Sequence, residues 1–249
     1  MQAFAPKPKI EEKLASDAEP AAQISLRAVA GLEVASVVAS VLITLWLIIP
    51  LQPQQRWLTA IPGLLALALV VNSHRVRGER FSEIGFSRRH FGRAIRLVAL
   101  PTLLACAILG AIGYATASFH RTSHFWSSLL VLPVWAVTQQ YVLQAFIYRR
   151  MRTVCSSNFA APDEQRRQAN LAILATAVIF ALTHAPNLAL MLLTLVGALL
   201  WCWVYERAPN LWALGLSHAV ISLMLMTSLP PWLLPSMSVG YKHFLYQKF

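Results

Sequence analysis

The sequence predicts an all-α fold, a bundle of about seven to eight membrane-spanning helices, and three observations lead there. Hydrophobic residues make up 57% of the chain and charged residues 12%, about half the charged share of a typical soluble domain. Several apolar runs reach the roughly 20 residues that a bilayer crossing requires. The cations behind the net charge of +11 are gathered, seven arginines between Arg75 and Arg96 and five between Arg149 and Arg167. Both clusters flank apolar runs, so they read as topology signals and as contacts with anionic membrane lipid. No motif of a nucleic-acid-binding module accompanies the charge, which argues against nucleic acid as a partner.

Residues 1–25 carry Lys7, Lys9 and Lys13 against Glu11, Glu12, Asp17 and Glu19. They lack the apolar centre of a signal peptide and are expected to form a flexible polar tail. Residues 26–249 are expected to form a single transmembrane domain. Its first span covers residues 26–50, with Glu33 as the sole carboxylate, expected in helix packing or at the interface. A second, residues 57–71, has Pro62 and Gly63 near its start. The basic connection SHRVRGERFSEIGFSRRHFGRAIR follows, and its middle, residues 81–91, has the character of an amphipathic stretch at the membrane surface.

A third helix is expected over residues 94–117 and a fourth over 125–148, with His120 and His124 in the surface loop between them. Past a polar loop at 162–168, a fifth helix ends near His184, where Pro186 interrupts helical hydrogen bonding. Residues 187–205 and 211–229 make the sixth and seventh, and the proline-broken tail 230–249 suits a short or re-entrant last piece. Cys106, Cys155 and Cys202 have no metal-like spacing and read as small core residues. The positive-inside rule puts both arginine-rich loops, and with them the amino terminus, in the cytoplasm. Few cysteines and no targeting segment fit a bacterial inner membrane.

Polar side chains in hydrocarbon are costly and mark either helix contacts or sites. Gln139, Gln140 and Gln144 lie within the fourth helix, His184 ends the fifth in FALTHAPN, and His218 and Ser222 lie one turn apart in NLWALGLSHAVIS. At a rise of ~1.5 Å per residue all of them fall between the inner interface and the midplane, where they could line one cavity. Interhelical hydrogen bonding is the plainer role for each of them. If a divalent metal such as zinc is held, His184 and His218 are its candidate ligands, but two histidines without a carboxylate or third strong donor make a poor zinc site.

In order and spacing, these segments resemble the CAAX protease and bacteriocin-processing family of intramembrane peptidases, which includes the type II CAAX prenyl endopeptidases. That family is similar in carrying EExxxR, then FxxxH, then HxxxN. Here FxxxH stands as Phe180-Ala-Leu-Thr-His184, and the last motif as His218-Ala-Val-Ile-Ser222 behind the lead-in Asn210-Leu-Trp212. Glu83-Ile-Gly-Phe86 looks like the family's surface segment, so that the similar core covers about residues 81–228.

The first motif departs: Gln139 and Gln140 occupy the glutamate positions, Gln144 the arginine's, and Ala145 that of a common glycine. Ser222 replaces the final asparagine. The resemblance implies an endopeptidase acting on hydrophobic or prenylated peptides, with a glutamate as general base and the histidines and asparagine around water and oxyanion. A glutamine amide keeps the shape but accepts no proton, which leaves His184 or His218 as the base. The alternative is an inactive relative that binds a peptide or lipid, or serves as an immunity or scaffold protein.

Overall fold

The computed structural model describes residues 9–51, 56–120, 125–157 and 161–246. The first eight residues of the expected tail, and His124, lie outside the described residues. Secondary structure among the described residues is helical throughout: α1 (Lys9–Ile43), α2 (Ile61–Val76), α3 (Phe91–Ala115), α4 (Phe125–Gln140), α5 (Arg149–Cys155), α6 (Pro162–Leu182), α7 (Leu188–Arg207), α8 (Leu211–Ser228) and α9 (Tyr241–Tyr246). A π-helical segment, Tyr141–Tyr148, joins α4 to α5, and another, Thr44–Ile48, prolongs α1. Helix α1 thus begins inside the stretch read as a tail.

Five helices are long and apolar enough to cross a membrane: Ser25–Ile48, Phe91–Ala115, Phe125–Cys155, Leu188–Arg207 and Leu211–Ser228. Helix α2 is apolar but has only 16 residues, and α6 has 21, with Asp163 and Glu164 in its first turn. This is an integral membrane protein built as a polytopic helical bundle. The outer faces confirm its solvent, since Leu100, Leu130 and Val134 are each about three-quarters or two-thirds exposed and would have no reason to be apolar in water.

The helix ends follow their residues. Pro62 and Pro162 sit in the first turns of α2 and α6, where a missing N–H costs nothing. Asp163 and Glu164 meet the positive end of the α6 dipole. Asn187 caps α7 by accepting from Leu190 N, and Asn210 caps α8 by accepting from Ala213 N. Pro101 and Pro133 lie inside α3 and α4, as membrane helices tolerate when neighbours cover the freed carbonyls.

The core gathers residues of α1, α2, α3, α6, α7 and α8 around the π segment, whose residues Leu143 to Phe146 are almost wholly buried. Small residues set the closest approaches. A Cβ on Gly215 would meet Val137 Cα at 3.1 Å, so α8 lies directly against α4. Gly85 has φ +104° and a Cβ there would meet Leu211 N at 3.2 Å, so a side chain is excluded twice over.

Two irregular segments are stitched onto this core. The turn holding Glu83 to Phe86 receives the start of α8: Leu211 N donates to Gly85 O, Tyr205 Oη to Ile84 O, and Asn210 Nδ2 to Ser87 O at 2.7 Å. Phe86 packs edge-on against Trp212 at 5.6 Å. The second segment, residues 229–240, closes over the α6–α7 turn. Asn187 Nδ2 donates to Ser236 O at 2.9 Å, and Gly240 N to Ala185 O at 2.8 Å. Beyond it α9 lies against the end of α1 through Phe244 and Trp46.

Candidate functional site

Helix α8 brings His218 to the core, and two contacts fix its ring. Trp201 of α7 lies nearly parallel to it, with centroids 4.4 Å apart and planes at 30°. Trp201 is in turn oriented by its indole N–H, which donates to Ser217 Oγ at 3.2 Å, while Ser217 also pairs with Thr102 of α3 at 2.7 Å. The second contact comes from Gln140, whose side-chain nitrogen lies 3.3 Å from His218 Nδ1. An amide nitrogen only donates, so Nδ1 accepts and the ring proton sits on Nε2.

His184 follows the last turn of α6 and is held in the opposite sense. Its Nδ1 lies 2.7 Å from Phe180 O. A carbonyl oxygen only accepts, so Nδ1 carries the proton and Nε2 keeps its lone pair. The Phe180 ring lies between the imidazoles, edge-on to both, at 4.7 Å from His184 and 6.4 Å from His218. Two histidines thus stand at one phenylalanine, one fixed as a donor at Nε2 and the other as an acceptor.

The sequence-predicted residues fall into two groups. Gln140, His218, Phe180 and His184 converge. Ser222 is buried one turn beyond His218 on α8. Gln144 is fully buried, and among the described residues neither atom of its amide has an oxygen or nitrogen hydrogen-bond partner. Gln140 Oε1 is likewise buried and unpartnered. Gln139 is only half-buried. The π geometry of Tyr141–Tyr148 lies between Gln140 and the arginines, at a kind of helix defect frequent at functional sites.

Among the described residues, no group of three or more His, Cys, Asp or Glu side chains is arranged to hold a metal ion. His184 and His218 bring two nitrogens and no third strong donor, so the donor set does not fit zinc.

A second polar centre lies at the arginine-rich end of the bundle, and sequence reasoning missed it. Arg150, 2% exposed, donates to Glu79 Oε2 at 2.9 Å and lies 3.1 Å from Glu33 Oε2. Arg149 donates to Glu79 Oε1 at 2.7 Å, Arg77 to Glu33 Oε2 at 2.9 Å, and His74 Nδ1 lies 2.5 Å from Glu79 Oε2. Burial opposes ionisation of Glu79, but the hydrogen bonds from His74, Arg150 and Arg149 outweigh it and hold the carboxyl well below the usual range. Three of the cations read as topology signals are therefore internal ion pairs. A sole carboxylate in an apolar span, Glu33, was the available sign that a cation must reach it.

Residues 121–224 match the family model described as Type II CAAX prenyl endopeptidase Rce1-like. The matched range takes in all three glutamines, both histidines and Ser222, and it bears out the resemblance drawn from the motifs. No curated protein matches the chain, and no solved structure does.

Proposed function

We propose, from the match of residues 121–224 to the Type II CAAX prenyl endopeptidase Rce1-like model, that the chain belongs to the CAAX protease family and is an intramembrane endopeptidase that hydrolyses hydrophobic or prenylated peptides without the family's carboxylate base. The observation that carries this reading is the pair of opposed tautomers. His184 Nε2 takes the proton of the attacking water as its oxygen bonds to the scissile carbonyl carbon. His218 Nε2–H and the Ser222 hydroxyl donate to the developing oxyanion. The proton on His184 then passes to the departing amine as the C–N bond breaks. Gln140 positions His218 and keeps its proton on the nitrogen that faces the substrate. Gln139 and Gln144 fill the motif positions as neutral groups. We place it in a bacterial inner membrane, and the clustered arginines favour an amino terminus in the cytoplasm.

One observation favours a second reading, a relative that binds peptide or lipid without cleaving. Both Gln140 and Gln144 are fully buried, and no carboxylate is hydrogen-bonded to either histidine among the described contacts. The deciding experiment measures cleavage of a library of hydrophobic and prenylated peptides by purified protein in liposomes. It compares the native chain, His184→Ala, His218→Ala, and the triple variant Gln139→Glu, Gln140→Glu, Gln144→Arg. Native cleavage lost in either histidine variant, by about 10²-fold or more, is the expected result. Cleavage by the triple variant alone would make the native protein a binder.

A further inference from the structure

The arginine-rich end of the bundle encloses an open cavity of about 570 Å³ whose walls include Arg77, Arg149, Arg150 and Arg152 but only two carboxylates, Glu79 and Glu206. We propose that this cavity is a binding site for a phosphate group, carried by an anionic membrane phospholipid or free in solution. The site is separate from the histidine pair, because its residues come from the loop after α2, from α5 and from the end of α7.

The argument rests on how the guanidinium groups are used. Arg150 is buried and fully engaged by Glu79, Glu33 and Ser73, so it forms the floor. Arg149 is a third exposed and directs two of its nitrogens at a single oxygen of Glu79. Arg152 is also a third exposed, and among the described residues its one ion pair is a long 3.3 Å contact with Glu206. The Glu206 carboxylate has a second suitor, the Tyr148 hydroxyl, which donates to it at 2.5 Å. Guanidinium N–H groups beyond those the two carboxylates engage therefore remain on Arg149, which also meets the Tyr205 side chain, and on Arg152, both lining the opening and one turn apart on α5.

A carboxylate is satisfied by one guanidinium fork, and Glu79 already takes that position between Arg149 and Arg150. A phosphate offers more terminal oxygens and up to two charges, and matches several guanidinium groups converging from different segments. The depth is suitable as well. Tyr148, Arg149, Arg152 and Thr153 belong to the last turns of the Phe125–Cys155 span, the level at which headgroups lie.

Two substitutions separate this site from ordinary lipid contact, since they act in opposite directions on the same cavity. Arg152→Gln removes a donor with little other role, and Glu206→Gln removes the carboxylate that competes for it. The measurement is binding to full-length purified protein in neutral detergent, read by mass spectrometry of the intact complex. The probes are phosphatidic acid, phosphatidylcholine, inorganic phosphate, and a short peptide with a free carboxyl terminus. Thermal melting of each variant checks that it is folded.

The expected result is retention of phosphatidic acid over phosphatidylcholine. Arg152→Gln should weaken it about tenfold, the effect of losing one charge-assisted hydrogen bond, and Glu206→Gln should strengthen it. Competition by inorganic phosphate at similar concentration would identify free phosphate as the natural source, and its failure to compete the lipid. Binding that ignores both substitutions, or capture of the peptide carboxylate in preference to either phosphate probe, would overturn the proposal.

Discussion

The close approach of Gly215 to Val137 decides how near α8 can carry His218 to Gln140, and Gly215→Ala tests it. In an unobstructed helix the change would help by about 1 kcal/mol, the propensity difference between glycine and alanine. Here the new methyl would meet Val137 Cα at 3.1 Å and Cβ at 3.3 Å, and Cγ2 closer still. The Cγ2 clash can turn away with χ1, but the clash with the Val137 backbone is relieved only if the helices part. Overpacking of this kind costs about 1–3 kcal/mol. The net expectation is a loss of up to about 2 kcal/mol, or a melting temperature lower by up to roughly 8 °C for a domain of this size. The assay is thermal unfolding in detergent, completed as a double-mutant cycle with Val137→Ala. Removing the valine methyls relieves part of the clash, so the two changes together should be less harmful than the sum of each alone, by about 0.5 kcal/mol or more. A Gly215→Ala protein that melts at or above the native temperature, or a cycle without coupling, would refute the close-approach argument.

Two further outcomes follow from the polar contacts. Glu79→Gln leaves Arg149 and Arg150 without their shared carboxylate, and breaking so buried a pair costs about 3–5 kcal/mol. Because the Glu79 pKa is depressed in the folded protein, its stabilisation is complete above the ordinary value of 4.5 and is lost as pH falls below that value. Melting temperature measured between pH 7 and pH 3 should therefore fall more steeply in the native protein than in Glu79→Gln. Asn210→Ala removes the α8 cap together with two side-chain bonds to the carbonyls of Ser87 and Arg89. It should cost about 1–2 kcal/mol and speed proteolysis between residues 81 and 91, and unchanged cleavage there would mean that the tether is unimportant.

Much of the bundle was legible because apolar runs and the stop at Pro186 act locally. The expected sixth and seventh helices, 187–205 and 211–229, correspond to Leu188–Arg207 and Leu211–Ser228. The histidines were legible for a related reason, since an imidazole in hydrocarbon needs a partner and Phe180 and Gln140 provide one each. The Glu33–Arg150 pair was not, because 117 positions separate its members and arginines beside an apolar run look like topology markers until the fold brings the carboxylate to them. Glu83 to Phe86 and Asn210 to Trp212 were read as two separate signs of one resemblance. The fold makes them a single joint, in which the missing side chain of Gly85 admits the first turn of α8. The π segment left no sign in composition, as Tyr-Val-Leu-Gln-Ala-Phe-Ile-Tyr suits an α-helix equally well.

That π segment sets the angular phase between the two polar centres. Gln140 stands at one end and Arg149 at the other, on what is otherwise one continuous helical rod. Each residue advances an α-helix by about 100°, so tightening Tyr141–Tyr148 by a single register step would turn one end by roughly that angle against the other. With His218 holding Gln140, the arginines would swing off Glu79; with Glu79 holding the arginines, Gln140 would swing off His218. The segment therefore works as a keyed coupling, and the histidine pair and the arginine cavity are both in register only while it keeps its extra residue.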